Sequence, residues 1–120
     1  MEVDHSHLPG RWKNQLGSEV VFEADDGQIT GEYWTAVSSA GTPLPGKKIF
    51  GTYQIVPGGA ILVNWIAQWQ VPSEKGVQHS STSWTGILRN GKLKTHWLLI
   101  SAEKQEWERL NIGADLFKRI

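Results

Sequence analysis

The stretch HSSTSWTGILRNGKLKTHWLLI, residues 79–100, contains two alternating runs separated by a tight turn. The dipeptide Asn-Gly at 90–91 is the strongest short sequence signal for a β-hairpin. Since successive side chains of a strand point to opposite faces, Ser80, Thr82 and Trp84 share one face of the first run. That face carries small hydroxyls and an indole instead of the Val, Ile and Leu of an ordinary core.

Turn signals of the same kind divide the rest of the chain into short β segments. Asp-Asp-Gly at 25–27 and Pro-Gly-Gly at 57–59 each separate two apolar runs. Eight antiparallel strands joined by short turns favour an all-β up-and-down barrel, which closes and leaves no edge. A barrel of that size can hold one small ligand. The strands are predicted near 10–15, 18–24, 28–37, 48–56, 61–69, 79–89, 92–101 and 109–118.

Two connections, 38–48 and 70–77, are longer than a turn and contain Pro and Gly. They follow the third and the fifth strand, so they lie at the same end of an up-and-down barrel. Long loops are more often functional than turns are, and we expect this end to be the open mouth. The segment 101–110 is rich in helix formers and predicts a short helical turn before the last strand.

Composition limits the possible classes of function. A chain of 120 residues forms one domain, and we expect a flexible segment at 1–9 and a single barrel domain at 10–120. The 12 basic and 12 acidic residues cancel, which argues against a nucleic-acid partner. No apolar run approaches the roughly 20 residues of a membrane span, so no membrane partner is expected. With no cysteine, thiolate chemistry is excluded.

The predicted inward face combines large rings with hydrogen-bonding groups. Seven tryptophans exceed the need of so small a core. A buried polar group without a partner costs about 1–3 kcal/mol, so these groups bind one another, ordered water or a ligand. An apolar wall with a few convergent polar groups is typical of a small-molecule site. The polar members are Asn14, Ser18, Tyr33, Thr35, Ser80, Thr82 and Asp115, and the indoles are Trp65, Trp69, Trp84 and Trp97.

Six motifs, in order, resemble the strand motifs of the avidin–streptavidin family of biotin-binding proteins. They are GRWKNQLGS, TGEYWTAV, VNWIAQW, HSSTSWTG, LKTHWLL and NIGADLF, and they extend over residues 10–117. The resemblance implies an eight-stranded barrel with biotin in its open end and assembly as a homotetramer, a dimer of dimers. It also implies a secreted or periplasmic protein whose signal peptide is absent from this chain. Biotin would be a ligand, and no cofactor is expected.

The resemblance implies roles for individual side chains. Asn14, Ser18 and Tyr33 would donate hydrogen bonds to the ureido oxygen of biotin. Asp115 and Thr35 would accept them from the ureido nitrogens. The other implied contacts are Thr82 at the thioether sulfur, Ser80, Ser38 and Ser39 near the carboxylate, Trp69, Trp84 and Trp97 as walls, and Trp107 as a lid from a neighbouring subunit.

Two other classes of function are weighed against biotin binding. A lipocalin-like carrier of another small ligand would have mostly apolar inward positions, whereas this chain has seven polar ones. An enzyme would need a nucleophile or a metal, and the sequence contains no nucleophile elbow and no Cys. His79 and Ser80 are strand neighbours that face opposite ways and cannot act together. Asp4, His5 and His7 are interpreted as a mobile terminus and not as a metal site.

Two further tryptophans, Trp34 and Trp107, lie outside the predicted inward face. Trp34 faces away from Tyr33, so it lies outside the barrel, where a subunit interface would cover it. Trp107 and Leu110 have helical spacing, so Trp107 either packs on its own barrel or covers the mouth of a neighbour.

Overall fold

A computed structural model describes residues 5–36, 45–104 and 110–120, apart from the side chains of His5 and Ser73. These ranges form a closed barrel of eight antiparallel strands in which each strand pairs with the next and β8 pairs with β1. The predicted all-β barrel is therefore confirmed. A 3-10 turn at His5–His7 precedes it. The strands are β1 (Gly10–Lys13), β2 (Glu19–Asp25), β3 (Gln28–Trp34), β4 (Lys47–Val56), β5 (Ala60–Ser73), β6 (Gly76–Arg89), β7 (Lys92–Ser101) and β8 (Leu110–Arg119).

Hairpin turns occur where the sequence predicts them. Asn90 and Gly91 have φ values of 53° and 73°, and Asp26 and Gly27 have 49° and 79°. Two consecutive positive φ angles match the twist of the flanking strands, and Asn, Asp and Gly adopt them at little cost. These turns fix the register of β6 on β7 and of β2 on β3.

The prediction of a long loop at 70–77 is wrong. β5 and β6 continue to a two-residue turn at 74–75, and each is 14 residues long. β4 pairs with β5 only as far as Ile66, and β7 pairs with β6 only from Ser80. Residues 70–79 therefore form a two-stranded ribbon that extends past the neighbouring strands. Pro72, which reads as a loop signal, is tolerated there because its missing N–H lies on an unpaired edge.

The lower half of the barrel is filled by aromatic rings. Trp65 stacks on Trp84 with ring centroids 5.3 Å apart, and Phe22 meets Trp65 edge-on at 4.9 Å. Trp65, Phe22 and Phe117 are almost completely buried. This packing closes one end, so a cavity can exist only toward the other.

The N-terminal segment, described from His5 onward, packs against the closed end. Leu8 is fully buried, and its carbonyl oxygen accepts a hydrogen bond from Trp12 Nε1 at 3.0 Å. The guanidinium of Arg119 lies over the Trp12 ring at 4.5 Å and donates to the carbonyl oxygen of Pro9 at 2.6 Å. Leu8 and Pro9 therefore contact the closed end of the barrel, and the flexible segment at 1–9 stays a prediction.

Trp34 lies outside the barrel, as predicted, yet its ring is half-buried by its own chain. The Arg11 guanidinium lies 5.2 Å from the ring centroid. A Cβ at Gly46 would come within 2.6 Å of Trp34 Nε1, which shows how closely the backbone approaches the indole. A subunit interface is not needed to account for this tryptophan.

Candidate functional site

The barrel opens into a cavity of about 960 Å³ at the end opposite the aromatic floor. Ser38, Ser39 and Trp107 lie outside the described residues, so the structure does not place them. The structure brings the other ten predicted site residues together around this one cavity. They are Asn14, Ser18, Tyr33, Thr35, Trp69, Ser80, Thr82, Trp84, Trp97 and Asp115.

Asn14 is oriented by the bend between β1 and β2. Its Oδ1 accepts hydrogen bonds from the backbone N–H groups of Leu16 at 3.0 Å and Ser18 at 2.9 Å. Asn side chains commonly organise turns in this way, and Gly17 supplies the positive φ of 91° that the bend needs. With its oxygen held by the backbone, the side-chain amide presents its NH2 group as a donor.

Ser18 and Tyr33 form a second pair of polar groups in the cavity. Ser18 Oγ accepts a hydrogen bond from the backbone N–H of Ala36 at 3.0 Å, and the Ser18 side chain is hydrogen-bonded to Tyr33. Burial raises the pKa of Tyr33 to about 12. The hydrogen bond to Ser18 lowers this pKa, and the negative charge of Asp115 raises it further. Tyr33 is therefore a neutral phenol at physiological pH and can donate a hydrogen bond.

Asp115 supplies a carboxylate from β8 and is 8% exposed. Gln15 Nε2 donates to Asp115 Oδ1 at 2.7 Å, and Gln15 Oε1 accepts from the Leu116 N–H at 2.9 Å. One carboxylate oxygen is thus engaged, and Oδ2 keeps acceptor capacity for a ligand. Sequence reasoning missed Gln15 because it lies in an exposed bend, far from β8 along the chain. Only the pairing of β1 with β8 brings the two together.

Indole and phenol rings form the apolar walls. Trp69 Nε1 donates to Thr82 Oγ1 at 2.9 Å, which fixes the plane of the Trp69 ring. Tyr33 lies 4.7 Å from Trp84 and 6.0 Å from Trp69 between ring centroids. Since Thr82 accepts from Trp69, its own hydrogen remains available to a ligand atom.

Trp97 depends on a glycine on the neighbouring strand. Gly113 lies directly opposite it, and a Cβ at Gly113 would fall 2.3 Å from Trp97 Cζ2. Any larger residue would therefore displace the indole. The motif NIGADLF thus positions both a carboxylate and, through its glycine, an aromatic wall.

The β5–β6 ribbon is attached to the start of the β7–β8 connection. The Glu103 carboxylate accepts from the His79 N–H at 2.8 Å and lies 2.6 Å from His79 Nδ1. The His79 side chain lowers the pKa of Glu103 through this hydrogen bond. Val71 and Gln78 of the ribbon line the outer cavity. The sequence does not predict these two lining residues, because its pattern assigns 70–77 to a loop.

The avidin family model matches residues 2–120 of this chain. The chain belongs to the avidin family. Avidin of Gallus gallus is 32% identical over 128 residues, which cover 94% of this chain and 78% of avidin. The structure of a biotin-binding protein from chicken gives a TM-score of 0.78 at 27% identity, covering 95% of this chain and 98% of that one. A shwanavidin variant in complex with biotin gives 0.69 at 27% identity, covering 94% and 97%.

Family membership confirms two predictions. The resemblance of the six motifs is borne out, and the family consists of biotin-binding proteins and not of enzymes. No cluster of three or more potential metal ligands occurs within the described residues. None of the helices described is long and apolar enough to cross a membrane.

The raised pKa of Tyr33 predicts a specific loss of stability in alkali. Below pH 10 the phenol is protonated in both the folded and the unfolded protein. Between pH 10 and about 12 only the unfolded form ionises freely, so the stability conferred by the buried phenol is lost there. We expect the free energy of unfolding of the wild type to fall by about 2 kcal/mol more than that of Tyr33→Phe over this interval. Urea unfolding of both proteins at several pH values measures the difference. An equal fall in the free energy of unfolding of the wild type and Tyr33→Phe would contradict a raised pKa of Tyr33.

Proposed function

We propose that this protein binds biotin in the open end of its barrel and catalyses no reaction. The observation that carries the proposal is that hydrogen-bond donors and a carboxylate line one cavity. Asn14 and Ser18 flank the bend between β1 and β2, and Tyr33 lies on β3. The Asp115 carboxylate lies on β8, which pairs with β1.

A ureido ring matches these groups in the donors and acceptors it offers. Its oxygen accepts hydrogen bonds, and the amide NH2 and two hydroxyls are donors of the right kind. One of these hydroxyls would exchange the Ser18–Tyr33 hydrogen bond for one to the ligand. Its N–H groups donate, and the carboxylate of Asp115 and the hydroxyl of Thr35 accept. Donors on the oxygen draw charge toward it and make the ring N–H groups stronger donors, while an ionised acceptor forms roughly twice as strong a bond as a neutral one.

The rest of the cavity fits the remainder of biotin. The indoles of Trp69, Trp84 and Trp97 provide apolar walls for the bicyclic ring system. Thr82 would meet the thioether sulfur, and Ser80, nearer the mouth, would bind the carboxylate. We extend the carboxylate contacts to Ser38 and Ser39 on the resemblance alone.

A lipocalin-like carrier of an apolar ligand is disfavoured by the interior itself. Asn14, Ser18, Thr82 and Asp115 are each no more than 8% exposed. An apolar ligand in their midst would leave the Asn14 NH2 group, the Thr82 O–H and Asp115 Oδ2 without partners, at about 1–3 kcal/mol each. A ligand that pairs with them avoids this cost.

Calorimetric titration with biotin tests the proposal. We expect one site per chain and a dissociation constant of about 1 nM or below, corresponding to roughly −12 kcal/mol or beyond. This affinity is expected because the streptavidin complex is among the tightest known, and it is not calculated from the cavity. Asp115→Asn keeps the size of the side chain and removes its charge, so affinity should fall by about 1–3 kcal/mol.

Asp26→Asn is the matched control, because Asp26 is exposed in a distant turn at a positive φ that Asn adopts readily. It should bind biotin as the wild type does. Absence of both heat and a rise in melting temperature with excess biotin would end the proposal.

We also propose a homotetramer and a secreted or periplasmic location, which family membership supports. The outer face of β7 and β8 near the mouth carries Leu98 opposite Ile112 and Ile100 opposite Leu110. Their exposed fractions run from 39% to 72%. Contiguous exposed apolar surface of this kind marks protein interfaces. In the assembly, Trp107 would cover the biotin site of a neighbouring subunit.

Replacing Trp107 with Lys tests this assembly. Loss of an apolar lid and arrival of a charge at the neighbour's site should speed biotin dissociation and shift the tetramer toward dimer. Biotin should tighten the wild-type assembly, because a ligand that prefers one state stabilises it by mass action. Light scattering after size exclusion measures the assembly, and competition with labelled biotin measures the off-rate. A wild-type monomer with tight binding, unchanged in Trp107→Lys, would show that Trp107 serves its own barrel.

A further inference from the structure

Four cations lie in one line across the outer surface of four neighbouring strands. Arg89 of β6 is directly opposite Lys92 of β7, Lys92 is opposite Lys118 of β8, and Lys118 is opposite Lys13 of β1. All four side chains are exposed. With strands about 4.8 Å apart, this cationic row spans about 15 Å.

The Asn-Gly turn builds one end of the row. Its two positive φ angles make Arg89 and Lys92 face each other across the hairpin. Lys94 lies two positions further along β7 and therefore on the same face. A concave surface of about 380 Å³ is lined by Ile87, Arg89, Asn90, Lys92 and Lys94.

The row is not neutralised within the described ranges. Like charges directly opposite on a sheet destabilise it. Ion pairs join Arg11 to Glu19 and His79 to Glu103, and neither involves the row. Glu19, the carboxylate opposite Lys13, is bound by Arg11 at 2.9 Å. The chain has as many acidic as basic residues, so this concentration of one sign is local.

We propose that the cationic row, with Lys94, binds a sulfated polysaccharide. A linear chain of sulfate groups would neutralise a line of cations that no carboxylate of the described ranges pairs with. Lysine, which predominates here, binds such groups as a compact point charge. The outward positions directly beside the row, Ile87, Asn90 and Leu116, provide no ring on which a nucleic-acid base could stack. The outward ring of Trp34 is separated from Lys13 by Glu19, and the Arg11 guanidinium lies over it. This site is on the outer wall and is independent of the biotin cavity.

Fluorescence anisotropy with a labelled heparin octasaccharide tests the proposal at two or more salt concentrations. We expect Lys92→Gln/Lys118→Gln to weaken binding at least ten-fold and to reduce the salt dependence, because fewer counterions are released. The control Lys48→Gln/Lys75→Gln removes the same charge from β4 and the ribbon tip and should bind within two-fold of the wild type. Saturation with biotin should leave the affinity for heparin unchanged.

A second measurement separates a binding role from a structural one. Removing repulsion should raise the melting temperature of Lys118→Gln by about 1–3 °C, while binding of heparin falls. A lower melting temperature would show that Lys118 stabilises the barrel and would contradict the proposal. Undetectable binding by the wild type, or an equal loss in the control, would overturn it. Equal or tighter binding of a single-stranded oligonucleotide with the same number of charges would overturn the polysaccharide assignment.

Discussion

Closure of the sheet between β8 and β1 is the constraint on which the site depends. β1 is only four residues long and pairs with β8 through Trp12 opposite Arg119 and Lys13 opposite Lys118. Gln15, just beyond β1, reaches across this seam to Asp115 and to the backbone of Leu116. The donors at the end of β1 and the carboxylate on β8 are almost the full chain apart in sequence. They face one cavity because β1 pairs with β8.

The two halves of the barrel along its axis have different roles, stability in the closed half and ligand binding in the open half. The closed half is packed with Trp65, Phe22 and Phe117, and the N-terminal Leu8 adds to it. The open half holds hydrogen-bonded polar side chains, each oriented by the backbone or by a neighbour: Asn14, Ser18, Tyr33, Thr82 and Asp115. Burial of polar groups is unfavourable unless they are paired, so the apolar half must provide the stability that the open half does not. The site is thereby held ready in the free protein, which reduces the cost of ordering it when a ligand binds.

Much of this arrangement could be predicted from local sequence. Period-two alternation placed Tyr33, Thr82 and Asp115 on the inward face, and the Asn-Gly pair located a hairpin, because both signals act between near neighbours. What escaped prediction depends on distant contacts. Gln15 meets Asp115 only through closure, and Leu8 is buried only because Trp12 and Arg119 cover the end of the barrel. The segment 70–77 predicts a loop because Pro and Gly mark turns, although an edge strand tolerates both.

A high-resolution crystal structure of the protein with biotin tests the central claim, that the unliganded cavity is already arranged for a ureido ring. The account predicts the ureido oxygen within hydrogen-bond distance of Asn14, Ser18 and Tyr33 and a ring N–H on Asp115. Those side chains should lie within about 0.5 Å of their unliganded positions, as a preorganised site requires. Biotin bound elsewhere, or bound here only after the Asn14 turn or the Gln15–Asp115 bridge has rearranged, would contradict it.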